Sequence, residues 1–432
     1  MAEKTRREFL KDSLQLAACA CCAEAFGVLG PTIVYGQGQV GNGKIVVFIT
    51  CDGGFDSLEM ECPIDLSAYY STRPTIAIPA GNALALGSGV GLHPSFVRLK
   101  ALWDQGDVAI IRRSGVVQGT RAHDQDQNDF ARGGKGSDTR GLLGRIMDIN
   151  FSKNGAGSYS SYNTIAIGMG NPIDTSCNRA VSRPINVPNL ASYRLNNDET
   201  NNNDNLYRQE VQKRILGLYN SATGLPKSVA QAQQGTHDSI ARLQAAVTGY
   251  SGFNTAQNPQ PNQNLYPNSS PGPQLRQIAM LIEEGLGTQL ALCGMGGFDL
   301  HADLGNVTGN QATLLRNLDQ AIGTFANDMA RLGKWGDTVV VVQTEFGRTL
   351  RENGSLGTDH GWGFSEFIIG GSINGGIRGG NYSNGELTGN PNWIRVDTHY
   401  QNARKEIFNW MGLSTQGAFP ENYTVKGLNL LA

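Results

Sequence analysis

Short apolar runs recur along the chain, each bounded by polar or glycine-rich residues and most of them separated by stretches of helical period. IVVFI at 45–49, VAII at 108–111, TIAIG at 164–168, QLALC at 289–293, VVVV at 339–342 and FSEFII at 364–369 are the strand candidates. Runs without polar alternation suit strands covered on both faces, as in a sheet with helices above and below it. Helical patterns fall at 94–102, 141–149, 207–219, 229–247, 275–284, 314–332 and 396–413. The alternation predicts an α/β class protein, a three-layer α/β/α sandwich with a mostly parallel central sheet. Residues 41–432 read as one domain, interrupted around 193–274 by a helical and Asn/Pro-rich insert whose polar tracts cannot bury much surface.

Charged and imidazole side chains sit where these runs end. Asp52 follows the first, ahead of Gly53 and Gly54, and GTRAHDQDQNDFARGG after the second carries Arg121 and His123. GGFDLH presents Asp299 and His301, whose alternate spacing lets both act on one side of an extended segment. TEFGRTLRENGSLGTDHGWG then brings Glu345, Arg348, Asp359 and His360 within one glycine-rich stretch. Ligands and reacting groups in open α/β sheets collect at the carboxyl ends of strands, so these residues are expected at one depression, as a metal or acid–base site. The structural alternatives are an ion pair between Glu345 and Arg348, Asp52 capping the next helix, and a solvated helix start at 121–129. No GxGxxG dinucleotide loop follows the first run, and the Gly pairs at 370–380 lack the lysine order of a phosphate loop.

A formal net charge of -2 leaves no basic field for nucleic acid or an anionic membrane. With 56 glycines and 17% charged residues the loops are polar without being charged, while 39% hydrophobic residues still support a core. Of seven cysteines, Cys51, Cys62, Cys177 and Cys293 lie beyond residue 40. They hold no CxxC pair, which argues against an iron–sulfur cluster or zinc knot, and permit one disulfide, Cys51 with Cys62 or Cys293, or else buried thiols.

TRREFLK at 5–11 places two adjacent arginines ahead of a moderately apolar segment, and resembles a twin-arginine export signal over residues 1–40. The twin-arginine export machinery is then a partner and the destination periplasmic or extracellular. LAAC at 16–19 also resembles a lipoprotein cleavage box, so a lipid anchor is the alternative to simple cleavage. Gln15, Glu24, Gly27, Gly30 and Pro31 interrupt the apolar segment, so no transmembrane span is expected in the mature protein.

Taken as an ordered set, CDGGFDSLEMECPID, YYSTRPTIAIP, GLHPSF, RAHDQDQNDFARGG, GGFDLH, TEFGRTLRENGSLGTDHGWG and a closing GG-rich hairpin resemble the domain-of-unknown-function family numbered 1501 across residues 44–413. That family is grouped by resemblance with the alkaline phosphatase and sulfatase superfamily, which implies an alkaline phosphatase-like fold. It further implies one or two divalent metal ions, zinc, calcium or magnesium. By this resemblance Asp52 corresponds to a first ligand, Asp299 and His301 to a later pair, Glu345 to the acid of an Asp-His dipeptide and His360 to a final histidine. Phe346 stands where the dipeptide would have His, Ala122 where relatives show Ser before His123, and no CxPSR sequence is present. The expectation is therefore metal-assisted hydrolysis of a phosphate or sulfate ester by one metal or a water nucleophile. Asp52, Asp299, His301, Glu345 and His360 are the ligand candidates, and Arg121, His123, Arg348 and Asp359 the catalytic ones. The substrate would be a small anionic ester or a polysaccharide. The alternative is a non-catalytic glycan- or protein-binding module on the same fold.

Overall fold

The computed structural model of the protein describes residues 42–116, 119–135, 139–151, 161–169, 172–175, 184–193, 210–211, 213–215, 217–218, 225–419 and 423–431. The export-signal segment, Cys177 and residues 194–209 of the insert lie outside the described residues. Among the described residues the main sheet has nine strands: β1 (Ile45–Cys51), β2 (Val108–Gly115), β3 (Thr164–Ile167), β4 (Ile185–Val187), β5 (Leu290–Met295), β6 (Thr338–Gln343), β7 (Phe364–Ile369), β8 (Gly376–Arg378) and β9 (Thr398–His399). Their spatial order is β8-β2-β7-β6-β1-β5-β3-β4, with β9 paired to β2. All neighbours run parallel except β7, which is antiparallel to both β6 and β2. The fold is mixed α/β with a large, mostly parallel central sheet.

Alternate residues of the central strands enter two separate cores, which is why the runs carry no polar side. Val47, Ile49, Val340, Val342, Ala291 and Cys293 pack in one core with α5 (Gly272–Glu283) and α6 (Asn310–Arg331) through Ile278, Leu281, Leu318, Ile322 and Phe325. Val46, Phe48, Val339, Val341, Leu290 and Leu292 pack in the other with α3 (Leu142–Phe151) and α7 (Gln401–Trp410) through Ile146, Met147, Ile407 and Phe408. Each such side chain, withdrawn fully from water, stabilises the fold by about 1.5–3 kcal/mol. Two further helices matter to the layers and the site: α1 (Val97–Gln105), which runs along α6, and α2 (His123–Ala131). The insert contributes α4 (Leu225–Gly249), which packs on α5.

Two sequence expectations change. Cys51, Cys62 and Cys293 are all buried free thiols, so no disulfide joins them; Cys51 and Cys293 are strand residues turned into the apolar core. The glycine-rich segment after β7 is no hairpin: β8 lies parallel to β2, with Ile377 opposite Ile110, instead of folding back on β7. Among the described residues no helix is long and apolar enough to cross a membrane.

Candidate functional site

Strand direction gathers the polar residues at one edge. β1, β5 and β6 are parallel, so Asp52, Asp299 and Glu345, which follow them, all leave the sheet on the same side. β2 points the same way because two antiparallel steps through β7 restore the direction, and the loop after it delivers Arg121 and His123. β7 runs the opposite way, so its beginning lies at that edge, immediately after Asp359 and His360.

The side chains meet in a cluster of lone-pair atoms. His123, Asp299 and His360 each offer one ligand atom within 4.8 Å of the others. His123 Nε2 is 3.1 Å from His360 Nε2 and 3.4 Å from Asp299 Oδ1, and His360 Nε2 is 3.1 Å from that same oxygen. His301 Nε2 approaches from the other side, 3.0 Å from both His360 Nε2 and Asp299 Oδ1. Ligand atoms bound tetrahedrally to zinc at about 2.0–2.1 Å stand about 3.3 Å apart, close to these separations.

The opposite ring nitrogens decide the tautomers. His123 Nδ1 faces Glu345 Oε1 at 2.7 Å, His360 Nδ1 faces the carbonyl oxygen of Arg121 at 2.8 Å and His301 Nδ1 faces Asp359 Oδ1 at 3.1 Å. A carbonyl or carboxylate accepts only, so each Nδ1 must carry the proton and donate it. In the neutral rings all three Nε2 atoms then carry lone pairs that point at one another and at a carboxylate, with Arg348 Nη1 3.5 Å from that of His301. A cation between them relieves that arrangement. An acceptor behind each ring, buried for His123 and exposed for His301, is the arrangement that orients metal-ligating histidines.

Supporting contacts hold these groups. Glu345 is buried, and its Oε1 also accepts from the Gly53 N–H at 2.9 Å and Gln127 Nε2 at 3.2 Å, while Oε2 accepts from the Thr344 hydroxyl at 2.9 Å. Both carboxylate oxygens face these donors, so Glu345 stands behind His123 and the imidazole reaches the cluster. Arg348 is 1% exposed and donates to the carbonyls of Gly53, Gly54, Phe298 and Thr358 and to Asp299 Oδ1, the last at 2.5 Å. Burial raises the Asp299 carboxyl, but the hydrogen bond and the charge of the Arg348 guanidinium outweigh it and hold the group well below the usual carboxylate range. Asp359, kept low chiefly by its hydrogen bond from Asn353 at 3.0 Å, stands behind His301.

The Asp52 carboxylate accepts no hydrogen bond from any described residue; burial, reinforced by the charge of Glu345 and opposed by His123, pushes it up to about 6. The Asp126 carboxylate accepts from the Thr120 and Arg121 N–H groups at 2.8 and 2.7 Å, shaping the turn that starts α2. Asp56 is structural: it caps the Ser57–Met60 helix and pairs with Arg73 at 2.9 Å. Gly53, at φ 116°, has no room for a side chain, since a Cβ would stand 2.4 Å from the Asp299 nitrogen. Gln127 and Asn353 were not legible as site residues. Gln127 lies one helical turn after His123, a spacing that could have suggested it, whereas Asn353 reads simply as an Asn-Gly turn. Two open clefts of about 600 and 530 Å³ lie along α7 and share no lining residue with the cluster.

Comparison with solved structures finds remote likenesses. The lipoteichoic acid synthase LtaP from Listeria monocytogenes is 10% identical, with 91% of this chain and 78% of that chain covered and a TM-score of 0.36. A protein in the alkaline phosphatase superfamily from Vibrio parahaemolyticus is 11% identical over 89% of this chain and 69% of that one, with a TM-score of 0.32. The alkaline phosphatase of the Antarctic bacterium TAB5 is 10% identical over 87% of this chain and 100% of its own, with a TM-score of 0.29. No curated protein matches the sequence. The pattern described as "Protein of unknown function (DUF1501)" matches residues 179–416, more than half of the chain, and the chain belongs to that family.

Proposed function

We propose that this protein is an exported metal-dependent hydrolase of phosphate or sulfate esters, in which His123, Asp299 and His360 hold a divalent ion with His301 and Asp52 as further donors. The observation that carries the reading is the set of three imidazole nitrogens and one carboxylate oxygen, with neighbouring atoms separated by 3.0–3.4 Å. Imidazole-rich donors suit zinc better than calcium or magnesium, which prefer oxygen. When bound, such an ion polarises an ester oxygen and lowers the pKa of water. Glu345, Asp359 and the Arg121 carbonyl fix the rings, and Arg348 holds Asp299 in its ionised form. The Thr344 hydroxyl is shared between the Cys51 carbonyl at 2.7 Å and Glu345 Oε2 at 2.9 Å, and that of Thr358 is donated to Asp56 at 3.0 Å, so water is the nucleophile in this reading. In this reading Asp52, its carboxylate free of hydrogen bonds from described residues, is left to the metal as a further donor.

Purified protein, never exposed to chelator, should contain a transition metal at about one ion per chain by elemental analysis. It should hydrolyse at least one member of a phosphate and sulfate ester panel, and lose that activity on chelation and in His360→Ala. Absence of bound metal, with no gain in hydrolysis on adding zinc, magnesium or calcium, would remove the enzyme reading. Export is tested separately: replacing Arg6 and Arg7 with lysine should retain the protein in the cytoplasm, and unchanged export would refute that part.

A further inference from the structure

Arg121, whose backbone lies beside the cluster where His360 turns its Nδ1, carries a cation that no described residue pairs. Arg121 gives its carbonyl to His360 Nδ1, while its guanidinium lies over the Trp393 ring, 4.4 Å from the centroid. Among the described residues that guanidinium makes no ion pair and no side-chain hydrogen bond, in contrast to Arg348, whose donors are spent on the protein. Its backbone is held in the left-handed region, φ 62°, by the contacts of Asp126 with the loop. Trp393 packs against Trp362 with ring centroids 5.3 Å apart, and the indole N–H of each is buried without an acceptor among the described residues. Trp362 is two residues beyond His360, so cation, aromatic wall and cluster belong to one rim.

A guanidinium stacked on an aromatic face keeps its edge donors directed outward in a planar fork that matches an oxoanion. Because the Arg121 guanidinium is stacked on Trp393 and makes no hydrogen bond or ion pair with the converging nitrogens or Asp299, the anion it would meet lies against that aromatic wall and is taken as distinct from the ester at the cluster. We infer that the substrate carries a second anionic group, held by Arg121 on the Trp393–Trp362 wall while the first is presented to the cluster. The inference rests on the ester-hydrolase reading of the cluster and narrows it to polyanionic substrates, such as oligosaccharides bearing several acidic groups, over simple monoesters.

The test uses the full chain, with metal content measured on every sample, and titrates dextran sulfate oligomers, carboxymethyl dextran of equal length and neutral dextran by calorimetry and tryptophan fluorescence. A charged oligomer should bind and neutral dextran should not; the two charged probes tell sulfate from carboxylate preference. Arg121→Gln should weaken binding at least tenfold, and Arg121→Lys, which keeps the charge and the backbone contact, should bind more tightly than Arg121→Gln. Trp393→Leu should weaken binding and abolish the fluorescence change. Equal binding by wild type and Arg121→Gln, equal loss in Lys and Gln variants, or no preference for charged oligomers would overturn the inference. Metal-free wild type would instead sink the hydrolase reading, and is told apart because Arg121-dependent binding is read independently of metal.

Discussion

Glu345 offers a direct test of how the site is held. Its Oε1 takes the His123 Nδ1 proton at 2.7 Å and the Gly53 N–H at 2.9 Å, while Oε2 takes the Thr344 hydroxyl at 2.9 Å. Glu345→Gln keeps the shape and leaves an amide oxygen for His123 and Gly53, with the new NH2 turned to Thr344. The change removes the negative charge behind the imidazole, so His123 becomes a poorer donor to a cation. Loss of such an outer partner costs about 10–100-fold in metal affinity, or ~1.4–2.8 kcal/mol. Metal-free stability should change little. Glu345→Ala removes the acceptor altogether and leaves the Gly53 N–H buried and unpaired, which costs a further ~1–3 kcal/mol of folding stability. Competition titration against a chromophoric chelator measures the first quantity, and urea unfolding of metal-free protein the second. The reasoning is refuted if Glu345→Gln binds metal within threefold of wild type, or if Glu345→Ala is as stable as Glu345→Gln.

Asp299→Asn should lose metal binding more severely than Glu345→Gln, because it removes a donor atom at the cluster; retention of stoichiometric metal in elemental analysis would contradict that role. Gly53→Ala forces a Cβ to 2.4 Å from the Asp299 nitrogen at φ 116°, and should cost roughly 1–3 kcal/mol in urea unfolding together with metal affinity. Wild-type stability in both assays would show that the loop yields. Burial pushes Asp319 up from 3.8 to about 7 although the Leu99 and Arg98 N–H groups bind its carboxylate. A folded value above the unfolded one gives stability that is full below pH 4 and is lost as pH rises to about 7. Asp319→Asn should therefore flatten the urea midpoint against pH over that window, and an unaltered profile would show that Asp319 does not titrate there.

The one-dimensional pattern determined the layers. Continuous apolar runs such as VVVV at 339–342 can be satisfied only with both faces covered, and helical stretches between them supply the covers. It also marked which polar residues end strands, because a buried run must stop where water or a ligand begins. What it left open was direction and hand-to-hand contact. Whether the segment at 364–369 continues the parallel order or reverses it depends on long-range pairing, and its reversal is what brings Asp359 and His360 to the edge used by Asp52, Asp299 and Glu345. The division of labour among the acids and histidines was equally a tertiary matter. Glu345 and His123 are 222 positions apart, and only the folded chain shows the carboxylate spent on Gly53, Gln127, Thr344 and the imidazole, with His123 Nε2 turned to the cluster. Cysteine spacing likewise permitted a bond that the register forbids: Cys51 lies opposite Met295 in the sheet, Cys293 opposite Ile49, and both thiols point into the apolar core. Residue types and their periodicity follow from local chemistry, whereas a donor's partner follows from distances that exist only once the sheet has closed around it.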